Sequence, residues 1–116
     1  MDRIDSGPRM SQAVIHNKTV YLAGQVAKQT RSSSVAAQTQ EILEAIDALL
    51  SRAHTDKSHL LSATIWLTDI ASFDEMNMVW ESWVVPGATP ARATVVSPQL
   101  AGRDCRIEIA VIAAQP

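Results

Sequence analysis

The chain has 116 residues, of which 47% are hydrophobic and 19% charged, and its formal net charge is −2. This length supports one domain (1–116) with a single core, and the composition is that of a globular protein. The ten Lys and Arg residues are scattered along an acidic chain, which argues against nucleic acid as a partner. No segment reaches the roughly 20 apolar residues of a membrane span, and no apolar signal core opens the chain. We therefore expect a cytoplasmic protein without membrane partners, and the single cysteine, Cys105, fits that reducing compartment.

The first half of the chain predicts a β-hairpin followed by a helix. Apolar runs at 13–15 and 20–23 flank Asn17-Lys18, and Asn tolerates the left-handed backbone of a tight turn. A polar, serine-rich loop follows over 28–34. Apolar residues then recur at helical spacing from 35 to 54, with Ser33 or Ser34 as the N-cap.

The second half predicts three more strands and a second helix. Residues 60–68 alternate between apolar and polar side chains, as a half-buried strand does. Ser72 and Glu75 have the spacing of a capping box, which predicts the start of a helix that ends near residue 84. Prolines and a glycine at 86–90 end that helix and lead into a strand over 91–96, and after a loop over 98–104 a last strand covers 106–114. The predicted order is β-β-α-β-α-β-β.

This order predicts a mixed sheet with both helices on one face. The last strand is largely apolar on both of its sides, although the helices can cover only one of them. Another copy of the chain is therefore expected to cover the open face, so we predict an obligate oligomer.

Two charges stand inside these apolar strands, Arg92 in one and Glu108 in the other. Burying either charge alone costs several kcal/mol, so each needs a partner, an interface or a ligand. If the register brings their faces together, Arg92 offers a planar fork for a substrate carboxylate and Glu108 a base or a water-positioning group. The alternative is a structural ion pair at a subunit interface, and the residue pattern leaves both interpretations open.

Other candidate sites are weaker. His54, Asp56 and His59 could be taken for metal ligands, but they fall in a polar loop and no second cluster completes a site. Cys105 has no histidine placed in sequence to activate it as a nucleophile. Gly24 lacks the repeated glycines and the following helix of a phosphate loop, which favours a turn at the end of a strand.

Five segments, taken together, resemble the RidA (YjgF) family of reactive intermediate deaminases. The segments are Ser11-Gln12-Ala13-Val14, Val20-Tyr21-Leu22-Ala23-Gly24-Gln25, Asn77 with Trp80 and Trp83, Pro90-Ala91-Arg92, and Ile107-Glu108-Ile109. They span nearly the whole chain in the family's order, and the Pro-Ala-Arg and Ile-Glu-Ile pair is quite specific. The resemblance implies a chorismate-mutase-like α+β fold assembled as a homotrimer with clefts between subunits.

The resemblance also implies an activity, the hydrolysis of 2-enamines and 2-imines such as 2-aminoacrylate to a 2-keto acid and ammonia, without a cofactor or metal. In that picture Arg92 binds the substrate carboxylate, Glu108 orients or activates the attacking water, and backbone groups near Gly24 hold the imine end. Asn77 falls among the substrate-binding positions.

Two positions of the implied substrate site depart from the family's best-studied branch. Met10 stands where that branch has a tyrosine, and Thr94 replaces a frequent cysteine. Methionine has no phenolic hydrogen bond to offer and reshapes an apolar pocket, so substrate choice is expected to differ. The alternative function is a non-catalytic trimer that binds a small carboxylate metabolite. A ribonuclease activity is disfavoured by the acidic chain and the absence of a basic groove in the sequence.

Overall fold

The computed structural model describes residues 1–116 as one mixed sheet of seven strands with two α-helices. The elements are β1 (Asp2–Ile4), β2 (Ala13–His16), β3 (Thr19–Leu22), β4 (Gln25–Val26), α1 (Val35–Arg52), β5 (Leu60–Leu67), α2 (Phe73–Trp83), β6 (Ala91–Val96) and β7 (Ile107–Ala114). The strands lie in the order β1-β2-β3-β7-β5-β6, and β4 also pairs with β7. Every pair is antiparallel except β5 with β6, which α2 connects.

The predicted hairpin, helices and three later strands are confirmed, with ends shifted by at most two residues. Two strands were missed. β1 has three residues and β4 has two, which is too short for an alternating pattern to be visible in the sequence. β4 matters for the site, because it pairs Val26 with Glu108.

The turn between β2 and β3 forms as its residues predict. Asn17 and Lys18 both have positive φ angles, 50° and 59°. A two-residue loop with positive φ at both positions is a type I′ turn, whose twist matches that of the flanking strands. The hairpin register is fixed in this way, and β3 then pairs with β7.

Ser34 is the N-cap of α1, and its hydroxyl accepts the Ala37 N–H at 3.1 Å. The capping box predicted for α2 is wrong. A short 3₁₀ turn precedes that helix, so Ser72 already has a helical backbone and makes no capping hydrogen bond. Glu75 instead accepts the Ala36 N–H at 2.7 Å, which places its carboxylate at the N-terminus of the other helix.

The core lies between the sheet and the two helices. On β7, Ile107, Ile109, Val111 and Ala113 are buried against the helices. The alternate residues of β7, which face the other side, are only partly covered. One face of the sheet therefore has no protein layer over it within a single chain. Neither helix is long and apolar enough to cross a lipid bilayer.

Candidate active site

Arg92 lies on the helix-covered face of the edge strand β6. Its register partner on β5 is Ala63, one of the buried residues of the core. Because partners in a parallel pair point to the same face, the Arg92 side chain extends under α2. There it is half-buried.

The Arg92 guanidinium has neutral partners only. One terminal nitrogen donates a hydrogen bond to Asn77 Oδ1 at 2.8 Å. The guanidinium carbon lies 5.8 Å from the ring centroid of Phe73 and 5.5 Å from that of Trp80, within the range of cation–π attraction. No carboxylate of the chain forms an ion pair with Arg92. The charge is thus held in place while its remaining N–H donors are free to bind an anion.

Thr94 stands on the same face of β6, two residues after Arg92. Its hydroxyl oxygen is buried and has no hydrogen-bond partner in the chain. Buried polar atoms without partners are rare in native proteins and call for an explanation. A ligand held by Arg92 would offer one. We refer to Phe73, Asn77, Trp80, Arg92 and Thr94 as the arginine cluster.

Glu108 lies on the open face of the sheet. It is the second residue of β7 and stands opposite Trp66 of β5, on the partly covered side. Its carboxylate packs against Gly24: a Cβ built at position 24 would overlap Glu108 Oε2 and lie 2.9 Å from its Cδ. Glu108 forms no salt bridge within the chain. We refer to Gly24, Trp66 and Glu108 as the glutamate cluster.

The two clusters do not meet within one chain. Arg92 is in register with Ala63 and Glu108 with Trp66, so the two charges are three residues apart along β5. They also lie on opposite faces, since alternate residues of a strand point to opposite sides. The register therefore does not bring the two side chains to one face within a single chain, and the two form no ion pair.

The remaining predicted positions divide between these clusters. Asn77 and Thr94 belong with Arg92, and Gly24 belongs with Glu108. Met10 is 48% exposed on the loop between β1 and β2, outside both clusters. Two residues later Gln12 accepts the Ala23 N–H at 2.9 Å, which ties that loop to the residue before Gly24.

Residues elsewhere do not form a metal site, because no group of three His, Cys, Asp or Glu side chains lies close enough to hold an ion. Two members of the arginine cluster, Phe73 and Trp80, were not linked to Arg92 by the sequence alone. They share a helical stripe with Asn77, at spacings of four and three residues. This stripe was the signal that could have joined them to Arg92.

The sheet with two helices on one face is the chorismate-mutase-like α+β architecture. The model of the family described as Endoribonuclease L-PSP matches residues 1–115. A RutC family protein of Haemophilus ducreyi is 40% identical over 112 residues, which cover 97% of this chain and 94% of that protein. The crystal structure of a YjgF family member from Neisseria meningitidis has a TM-score of 0.94 at 38% identity, covering 99% of this chain and 94% of that one.

The chain therefore belongs to the RutC family, also known as the YjgF or RidA family. A more distant relative is the 2-iminobutanoate/2-iminopropanoate deaminase of Rattus norvegicus, which is 31% identical over 110 residues, 90% of this chain and 79% of that protein. Because these matches cover nearly the whole chain, they establish both its family and its fold.

Proposed function

We propose that this protein hydrolyses 2-enamine and 2-imine intermediates such as 2-aminoacrylate to 2-keto acids and ammonia. The site would be a cleft between the subunits of a homotrimer, with the arginine cluster of one copy facing the glutamate cluster of another. The substrate is a small-molecule imine, and no cofactor is required. The name of the rat relative supports this reaction, whereas the RutC family proteins of Haemophilus, which are more similar to this chain, are named for the family alone.

The observation that carries the proposal is the state of the two charges. Arg92 is pre-positioned by neutral partners with donors to spare, and Glu108 is an unpaired carboxylate on the other face. A charge left unpaired in a partly buried position is costly unless a ligand or an interface compensates it. A second chain over the open face would bring its arginine cluster to Glu108, and Arg92 of the first chain would in turn meet the glutamate cluster of another copy.

The chemistry follows from these groups. The Arg92 fork binds the substrate carboxylate, and the free Thr94 hydroxyl can hydrogen-bond to the same ligand. With the imine protonated on nitrogen, Glu108 accepts a proton from water as the water oxygen bonds to C2 and the C=N electron pair moves to nitrogen, which gives a neutral carbinolamine. Glu108 then donates that proton to the nitrogen and takes up the hydroxyl proton as the C–N bond breaks, so ammonia leaves, a keto group remains, and the proton finally passes to the ammonia. Imine hydrolysis is already easy in water, so positioning and proton transfer by one group suffice.

The test generates 2-aminoacrylate with a dehydratase and follows the appearance of pyruvate with and without this protein. We expect pyruvate to form faster when the protein is present, and semicarbazide trapping of the intermediate to fall in proportion. Because Met10 replaces a tyrosine of the best-studied branch, the protein is expected to prefer a different substrate side chain. Imines derived from several other amino acids are therefore assayed in parallel. If none of them is hydrolysed faster than in buffer, the catalytic proposal is wrong.

A second candidate is a non-catalytic trimer that binds a small carboxylate metabolite. The specific observation in its favour is that the arginine cluster is complete within one chain, whereas the glutamate cluster is not in contact with it. Calorimetry separates the two functions. Saturable binding of a 2-keto acid, lost in Arg92→Ala, without turnover of any imine would favour the binding protein.

A further inference from the structure

A second candidate binding site lies away from both clusters, in a groove at the ends of β5, β6 and β7. The groove has a volume of about 580 Å³ and is formed by the loop 98–106 together with Ser32 and Thr68. Pockets for small ligands usually measure about 300–1,000 Å³. Its size therefore suits a small molecule.

Positive charge is concentrated at this groove. Arg103 and Arg106 both line it, and neither forms an ion pair with a carboxylate of the chain. Asp104 is the one acidic residue among the lining residues. The whole chain has a net charge of −2, so the positive charge of this groove is opposite in sign to that of the protein as a whole. It is the electrostatic condition for binding an anion.

A third arginine reaches the same loop from the other side. Arg31 is held by its Nε–H, which donates to the Ala27 carbonyl at 2.8 Å. Its Nη2 lies 3.5 Å from the position that a Cβ on Gly102 would occupy, so the guanidinium faces the groove's loop. Anchoring through Nε leaves the terminal nitrogens available for a ligand.

A buried glutamine fixes the two loops that carry these arginines. Gln38 of α1 is fully buried. Its amide donates to the carbonyls of Ser33 at 3.1 Å and Asp104 at 3.4 Å, and its oxygen accepts the Arg106 N–H at 2.9 Å. The Ser32 N–H also donates to the Asp104 carbonyl at 3.3 Å. The backbone of the groove is therefore set in advance, which lowers the entropy cost of binding.

From this arrangement we infer that the groove binds a small phosphate-bearing anion through Arg103 and Arg106, with Arg31 beside the same loop adding positive charge. The planar guanidinium fork matches phosphate oxygens in pairs. No aromatic side chain lines the groove, so it offers no platform on which a nucleobase could stack. A compact phosphorylated molecule fits better than a nucleic acid strand. The inference is independent of the proposed deaminase activity, which does not use these residues.

The experiment titrates the full-length protein with inorganic pyrophosphate by isothermal calorimetry, at constant ionic strength. We expect saturable binding of one pyrophosphate per chain. Each of the variants Arg103→Gln and Arg106→Gln should raise the dissociation constant about tenfold, because each removes a charge-assisted hydrogen bond. The matched control is Arg3→Gln, which removes an exposed arginine from β1 at the far edge of the sheet and should leave binding unchanged.

Three results would overturn the inference. The first is no saturable binding of pyrophosphate to the unmodified protein. The second is an equal loss in Arg3→Gln, which would mean a general charge effect. The third is tighter binding of a single-stranded RNA oligonucleotide through the same arginines, which would replace the small anion by nucleic acid. Hydrolysis of 2-aminoacrylate should be unchanged in Arg103→Gln and Arg106→Gln, because neither residue belongs to the arginine or glutamate cluster. Failure of pyrophosphate binding and failure of the proposed deaminase are therefore distinguishable.

Discussion

The arginine and glutamate clusters differ in how much of their surroundings one chain supplies. Arg92 is covered by α2, where Asn77 accepts its hydrogen bond and two aromatic rings flank the guanidinium. Glu108 lies on the open face beside Gly24, without an ionic partner. The same sheet thus carries one charge whose orientation is fixed and another whose surroundings are incomplete.

This difference assigns the two charges different tasks in the proposed reaction. A group that binds substrate benefits from a fixed orientation, which reduces the entropy lost on binding. A group that moves a proton needs contact with water and with the substrate brought by another chain. Substitutions in the glutamate cluster should therefore act on kcat, and those in the arginine cluster mainly on KM.

The largest effect is expected for Glu108→Gln. The amide keeps the shape of the side chain but cannot accept a proton, so kcat for 2-aminoacrylate hydrolysis should fall by about 10²–10⁴-fold while KM changes little. Steady-state kinetics with size-exclusion chromatography, which checks that assembly is unaltered, measures this. Glu44→Gln, an exposed position on α1, is the control. An unchanged kcat would remove Glu108 from the chemistry.

The second-largest effect on catalysis is expected for Arg92→Lys. An ammonium keeps the charge but loses the paired contact with a carboxylate, so kcat/KM should fall by about 100-fold, mostly through KM. Arg52→Lys is a matched control, because Arg52 forms its paired contact with Asp5 of the same chain, at 2.8 and 2.9 Å. Equal losses in both variants would mean that Arg92 has a structural role only.

A smaller loss is expected for Gly24→Ala. The added methyl group overlaps the end of the Glu108 side chain, which can swing away, so the carboxylate moves and the fold is retained. We expect kcat to fall by about tenfold because the base is misplaced. The midpoint of thermal unfolding should stay close to that of the unmodified protein. In Gly7→Ala the new Cβ meets only the Met10 carbonyl at 3.7 Å, so activity and stability should both be kept.

The smallest effect concerns the loop that follows β4, next to the glutamate cluster. Glu41 accepts backbone N–H groups of Lys28, Gln29 and Thr30, and these hydrogen bonds lower its pKa to about 2. Because the folded pKa is depressed, the stabilisation is present above the unfolded pKa of about 4.5 and is lost as pH falls toward 2. The free energy of unfolding of Glu41→Gln should be lower than that of the unmodified protein at pH 7, and the difference should shrink below about pH 4.5 and vanish near pH 2. A difference that does not shrink between pH 4.5 and pH 2 would contradict this, and Glu44→Gln again serves as the control.

Much of the fold could be predicted because its signals are local. The turn at Asn17-Lys18, the alternation over 60–67 and the helical spacing of α1 each depend on residues near in sequence. The predictions that failed concern structure that depends on tertiary contacts. Glu75 matches a local capping box but caps α1, since the 3₁₀ turn before α2 places it there. β4 is a strand only because β7 lies beside it.

For the candidate site too, some features follow from the sequence and others only from the tertiary structure. The sequence by itself determined that an arginine and a carboxylate stand in apolar strands, and that Arg92 shares a face with Thr94, because side-chain direction alternates along a strand. Only the tertiary structure decided that Arg92 and Glu108 occupy opposite faces, since register and strand order are set by pairing across β5. It also decided that arginines scattered in sequence gather at one groove, because loops far apart along the chain are joined there by Gln38.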